Sequence, residues 1–233
     1  MSEYEGREGE DMDELEDDAP AADIWHNTED WFEENKQKVA IGGGVLAVLV
    51  VAIVFIFAKW LPDRNLKAQR EMFPAEAAFS KDSFDLALNG NGLTKGFLDI
   101  KKKYSFTKAA NLANYYIGIC YINKKDYKNA IDALGSFSTG DPILGAAKLN
   151  VIGDAYANEN KTEEATKYYR KAADFSDNEV YTPFYLLKLG MYLEVQKKYN
   201  DAKEAYSKIK DKYPNTQEGR EIDKYLARVN VEG

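Results

Sequence analysis

Two kinds of side chain that most often carry chemistry are nearly missing: the chain has one cysteine, Cys120, and one histidine, His26. A disulfide framework within the chain and a cysteine-based zinc site are therefore excluded. His-ligated metal clusters and His-dependent catalytic triads are excluded from the main body as well, because His26 stands in the acidic N-terminal region. An excess of positive charge is also lacking. Beyond residue 62, twenty-seven bases are interspersed with twenty-four acids, which gives no strong electrostatic footprint for nucleic acid. Gly90-Asn-Gly92-Leu-Thr-Lys-Gly96 has one residue too many for a dinucleotide fingerprint and no strand before it, so it reads as a turn between helices. With no nucleophile–base pair and no metal set in view, the chain is expected to be neither an enzyme nor dependent on a cofactor.

What is there is distributed very unevenly. Residues 1–35 hold fifteen acids and a single base, Arg7. Residues 1–23 have almost no large apolar groups, cannot bury enough surface to offset the entropy of ordering, and are expected to be a disordered acidic tail. Residues 24–38 change character: Trp25, Trp31 and Phe32 recur at near-helical intervals, an amphipathic segment suited to a membrane interface. Val39 to Ala58 then runs for twenty residues without a charge or a proline. As a helix of about 1.5 Å rise per residue it would span about 30 Å, the thickness of the hydrocarbon core. The apolar run is too long and begins too late for a cleaved signal peptide, and Lys59 and Trp60 close it at the far interface. Within about 20 residues of the run, Lys36 and Lys38 lie before it and Lys59, Arg64, Lys67 and Arg70 after it. Taken alone, that count favours a cytoplasmic C-terminal side, but long domains translocate largely regardless of charge.

Residues 63–233 show helical rather than alternating periodicity, and the helices repeat. Gly118, Gly153 and Gly190 are followed twelve residues later by Ala130, Ala165 and Ala202, and four residues after that by Leu134, Tyr169 and Tyr206. Small residues at that spacing allow two helices to cross closely, and the bulky residue fills the space beside the crossing. The pattern resembles the tetratricopeptide repeat. It places repeats at about 111–142, 146–177 and 183–214, with a degenerate repeat over 74–104 in which Pro74 to Leu88 forms one helix and Thr94 to Tyr104 its partner. A capping helix is expected over 216–229, as the end of a solenoid requires. The expected fold is thus all-α: a single N-terminal transmembrane helix followed by a tetratricopeptide helical solenoid.

In such arrays the first helix of each repeat lines a concave groove. Counted from the glycine, the inward positions are Leu112, Tyr115, Ile119 and Ile122 in the first repeat. In the second they are Ala147, Asn150, Asp154 and Ala157, and in the third Phe184, Leu187, Met191 and Glu194. This is a mainly apolar groove, suited to an extended hydrophobic segment or an amphipathic helix of a protein partner. Leu112, Tyr115, Ile119, Ile122, Asn150, Asp154, Phe184, Leu187 and Met191 form the expected partner-binding set. Trp25, Trp31, Phe32 and Trp60 form the expected membrane-interface set.

A single span followed by a short tetratricopeptide array resembles the YfgM-type ancillary subunits of the bacterial Sec translocon, in a form closest to those of Bacteroidota. The resemblance is carried by the span, Phe73-Pro-Ala-Glu76, Ala87-Leu88-Asn-Gly-Asn-Gly92, and Lys108-Ala-Ala-Asn-Leu-Ala113 leading into Tyr116-Ile-Gly-Ile-Cys-Tyr121. It implies a non-enzymatic, chaperone-like scaffold in the bacterial inner membrane, with its N-terminus cytoplasmic and its repeats periplasmic. The implied partners are the SecYEG translocon, a membrane-anchored periplasmic peptidyl-prolyl isomerase of the PpiD type, and secretory clients. An envelope-assembly or division scaffold without translocon contact is the alternative.

Overall fold

The computed structural model describes residues 31–175 and 177–232. The acidic tail over 1–23, Trp25 and His26 lie outside them. The chain divides into two compact units, one ending at Trp60 and one beginning at Leu61.

In the first unit, residues 31–34 form a helical turn that ends at Asn35, and α1 follows over Lys36–Phe55. Ile56–Trp60 continues as a π-helical turn. The interfacial segment expected over 24–38 is therefore interrupted at Asn35, and the apolar helix begins three residues before the uncharged run. No residue of α1 is buried, and Ile41, Leu46, Val48, Val51 and Phe57 are all more than 60% exposed. The stretch contains a window of mean hydropathy 3.0, long and apolar enough to cross a membrane. A helix that is apolar on all sides does not belong on a wet surface.

Among the described residues, the regular structure of the second unit is helical apart from one isolated bridge between Gly90 and Lys95. Its elements are α2 (Leu61–Phe79), α3 (Phe84–Asn89), α4 (Phe97–Lys103), α5 (Lys108–Asn123), α6 (Tyr127–Ser136), α7 (Pro142–Asn158), α8 (Thr162–Ala173), α9 (Thr182–Val195), α10 (Tyr199–Lys212) and α11 (Gln217–Glu232). Each helix packs mainly on its sequence neighbours, the quasi-linear arrangement of a solenoid. Several starts are capped by side chains. Thr107 Oγ1 accepts from the Ala110 N–H at 3.1 Å, and Asp141 Oδ1 accepts from Ile143 and Leu144 at 2.8 and 3.0 Å, with Pro142 in the first turn.

The repeat positions meet as their sizes require. A Cβ on Gly118 would lie 2.4 Å from Leu134 Cγ, one on Gly153 2.7 Å from Tyr169 Cδ1, and one on Gly190 2.2 Å from Tyr206 Cε1. Ala130, Ala165 and Ala202 are completely buried beside these crossings. Each helix pair then turns through the same motif. Lys125, Asn160 and Lys197, all seven residues after the repeat glycine, adopt positive φ of 59°, 59° and 60°. In each, the amide three residues past the helix reaches back five residues: Asp126 to Tyr121, Lys161 to Tyr156 and Lys198 to Leu193, at 2.9, 2.9 and 3.0 Å. This is the Schellman closure, which satisfies carbonyls left open at a helix end.

The N-terminal repeat differs from expectation. Pro74 does not start a helix but lies within α2, and the helix expected from Pro74 to Leu88 is broken at Asp82 (φ 56°). The break is a fourth copy of the turn, with Ser83 N–H donating to Ala78 C=O at 3.0 Å. Ser80-Lys-Asp-Ser83 are poor helix formers that favour such local bonds. The partner helix, expected from Thr94, starts only at Phe97, because Thr94 N–H and Oγ1 both donate to Asn91 Oδ1 in the preceding turn. The capping helix begins at Gln217, with Thr216 Oγ1 accepting from Gly219 N–H at 3.0 Å, and runs to Glu232 rather than ending at 229.

Candidate protein-binding groove

The first helices of the three clear repeats are α5, α7 and α9, and the expected partner-binding residues lie on them. Leu112, Tyr115, Ile119, Ile122, Asn150, Asp154 and Leu187 are half-buried, while Phe184 and Met191 are 48% and 46% exposed. These nine do not share one pocket.

The third-repeat residues come together best. Phe184, Leu187 and Met191, with Tyr169, Lys188, Tyr192 and Val195, line an open groove of about 360 Å³. Its polar content is small, and Val195 is 83% exposed. The capping helix does not fill it: α11 packs chiefly on α10 and reaches α9 through Arg228, whose guanidinium grips Glu194 at 2.5 and 3.1 Å. Glu194, expected to face a partner, is thereby engaged within the chain.

Asp154 behaves the same way. Its carboxylate accepts from Tyr169 Oη at 2.6 Å and from Lys188 Nζ at 2.7 Å, which joins the second repeat to the third. Lys188 also lies 5.3 Å from the Tyr169 ring centroid. Burial raises the Tyr169 phenol pKa, and its bond to Asp154 adds to the rise, so this hydroxyl stays a donor. Asn150, one turn earlier, has its Nδ2 3.5 Å from Asp154 and a buried Oδ1 with no hydrogen-bond partner. Of the two polar positions of the expected set, Asp154 thus acts as an internal cross-link between repeats, while Asn150 reaches only along its own helix.

At the first repeat, Leu112 packs against the N-terminal core. The Tyr115 ring lies 5.3 Å from Phe137 and 6.2 Å from Tyr116, and burial pushes its phenol up. Burial also raises the Tyr185 phenol pKa. Of the residues expected at a membrane interface, Trp31 and Phe32 are about half-exposed and pack edge to face at 5.3 Å, and Trp60 is 45% exposed.

Sequence reasoning missed Tyr169, Lys188, Tyr192 and Val195 as groove residues. The Tyr169 ring packs on Gly153 as its spacing predicts, and its hydroxyl goes on to reach the Asp154 carboxylate.

Comparison with known proteins supports the fold. The tetratricopeptide repeat family matches residues 112–139 and 185–216. No curated protein matches the chain. Among solved structures, the chain resembles the crystal structure of MamA protein, with 19% identity and a TM-score of 0.50, over 71% of this chain and 88% of that one. The repeat at 146–177 lies outside the family match, but its Gly153–Tyr169 crossing has the same construction as its neighbours. The second unit is thus a tetratricopeptide helical solenoid, a protein-interaction scaffold.

Proposed function

We propose that this chain is a membrane-anchored, non-enzymatic scaffold that binds protein segments in the groove lined by Phe184, Leu187 and Met191. The observation that carries the reading is the groove itself: an exposed, almost wholly apolar concavity in a fold whose concave faces take peptides. The apolar helix α1 supplies the anchor, with Trp31, Phe32 and Trp60 at its interfaces.

The more specific proposal is an accessory role at the Sec translocon. It rests on the resemblance of the span and repeat segments to YfgM-type subunits. In this arrangement the N-terminus is cytoplasmic and the solenoid periplasmic, beside SecYEG and a PpiD-type isomerase, and the groove holds the isomerase or an emerging secretory client. Mild-detergent purification from native membranes, with crosslinking and mass spectrometry, tests it. Co-purified SecY and isomerase are the expected result; envelope or division proteins in their place would refute the translocon role and keep the scaffold.

The groove is tested with Phe184→Glu and Met191→Glu together. Both side chains are exposed, so the solenoid keeps its helicity while partner recovery falls by at least tenfold, about 1.4 kcal/mol. Tyr115 and Leu187 are less suitable targets because both pack into the fold.

A further inference from the structure

The part of the solenoid tied to its first helix, which follows the anchor directly in sequence, carries a second surface. Phe106, in the loop between α4 and α5, is 88% exposed and has φ of 69°. A bulky residue seldom occupies that conformation, and a strained, solvent-exposed aromatic serves no packing purpose. The loop is held firmly. Arg64 donates to Lys103 C=O and stands 5.5 Å from the Tyr104 ring centroid, and Asn65 Oδ1 accepts from Ala109 N–H at 2.9 Å. Both tethers come from the first turns of α2. Whatever the arrangement of the two units, five covalent steps of about 3.8 Å keep Asn65 within about 19 Å of Trp60, where the apolar helix ends.

The helices that flank and tether the loop carry exposed lysines. Lys67 on α2, Lys102 at the end of α4 and Lys108 at the start of α5 are exposed. Of the acids in these segments, Glu71 pairs with Lys95 and Lys103 and Asp99 accepts from the Gly96 N–H at 3.3 Å, while Asp63 in the first turn of α2 is exposed, so the lysines outnumber the acids left to face solvent. An exposed aromatic among lysines, on a short tether from a span, has the chemistry of an interfacial contact with anionic headgroups.

We propose that this edge, with Lys67, Lys102 and Lys108 around Phe106, docks on the anionic lipid surface beside the anchor. The inference rests on the anchor reading above. It gives the basic excess after the span a role in lipid contact, separate from orientation.

The test uses the full chain in vesicles, with Ser105→Cys carrying an environment-sensitive fluorophore; Cys120 is completely buried and stays unlabelled. With phosphatidylglycerol in the bilayer, the probe shifts to the blue and is quenched by spin-labelled lipid. In phosphatidylcholine alone both signals are lost. Each lysine near an anionic surface contributes about a fivefold bias, so replacing the three with Glu lowers the docked-to-undocked ratio by at least roughly a hundredfold. Phe106→Ser reduces the quenching with the helical spectrum unchanged. A chain that does not float with the vesicles overturns the anchor and this inference with it. A chain that floats, but whose probe is unquenched with phosphatidylglycerol, overturns the docking edge alone. Equal quenching in both lipids overturns headgroup recognition, and label-to-label contact between chains without lipid quenching assigns the edge to a second copy and overturns it too.

Discussion

Gly190→Ala should destabilise the solenoid, although alanine is ordinarily the better helix former. In an open helix position the exchange gains about 1 kcal/mol. At Gly190 the new Cβ would sit 2.2, 2.7 and 2.8 Å from three atoms of the Tyr206 ring. That ring is completely buried and has Tyr225 of α11 behind it at 5.4 Å, so it has little room to retreat. Overpacking of this kind costs about 1–3 kcal/mol, and a three-atom clash with a rigid ring belongs at the upper end. The net loss is about 2 kcal/mol, or about 4–8 °C in Tm for a domain of this size. Gly135→Ala is the matched control. Gly135 is also in a helix, but nothing lies within 4 Å of its Cβ position, so a gain of up to about 1 kcal/mol is expected there. Urea titrations of the full chain in mild detergent, followed by far-UV circular dichroism, compare the two directly. Opposite signs support the close-crossing account; a Gly190→Ala protein as stable as the parent would refute it.

Three further outcomes follow from local chemistry. Lys197→Gly should stabilise by about 1 kcal/mol in the same titration, because a left-handed lysine costs about 1–2 kcal/mol that glycine avoids; an unchanged midpoint would count against the turn geometry. Burial pushes the Glu71 carboxyl up, but hydrogen bonds from Lys95, Tyr104 and Lys103 outweigh it and hold the pKa at about 2. Its folded pKa is thus below the ordinary 4.5, so its contribution is complete above pH 4.5 and fades as pH falls towards 2. Glu71→Gln should flatten the acid limb of stability over that window, as read by melts at stepped pH. Burial raises the Cys120 thiol pKa to about 12, so a thiol reagent at neutral pH should react only once urea unfolds the chain; prompt labelling of the native protein would show that α5 does not bury it.

The three clear repeats were legible because their signal is steric: a glycine, an alanine and a bulky residue at fixed offsets can serve one crossing, and Gly118–Leu134, Gly153–Tyr169 and Gly190–Tyr206 do. The apolar helix was legible from composition, although its bounds moved by a few residues. The degenerate repeat was misread because Pro74 was treated as a helix start, whereas α2 carries it internally and the real break is the polar run ending at Ser83. The left-handed turn positions escaped notice because two of the three are lysines, without the glycine that usually marks such a conformation. At the groove, helical spacing puts Phe184, Leu187 and Met191 on one face, and they line one concavity. It could not show that Asp154 and Glu194 spend their charges on Lys188 and Arg228, since those partners lie thirty-four residues away in sequence.

The central claim is that the third-repeat groove is where this scaffold holds its partners. A photoreactive amino acid at Met191, in the full chain in native membranes, tests it most directly, with the same residue at Lys203, exposed on α10, for comparison. The account predicts discrete protein adducts from Met191 that disappear with Phe184→Glu and are absent from Lys203. Equal adducts from both positions, or none from Met191, would contradict it.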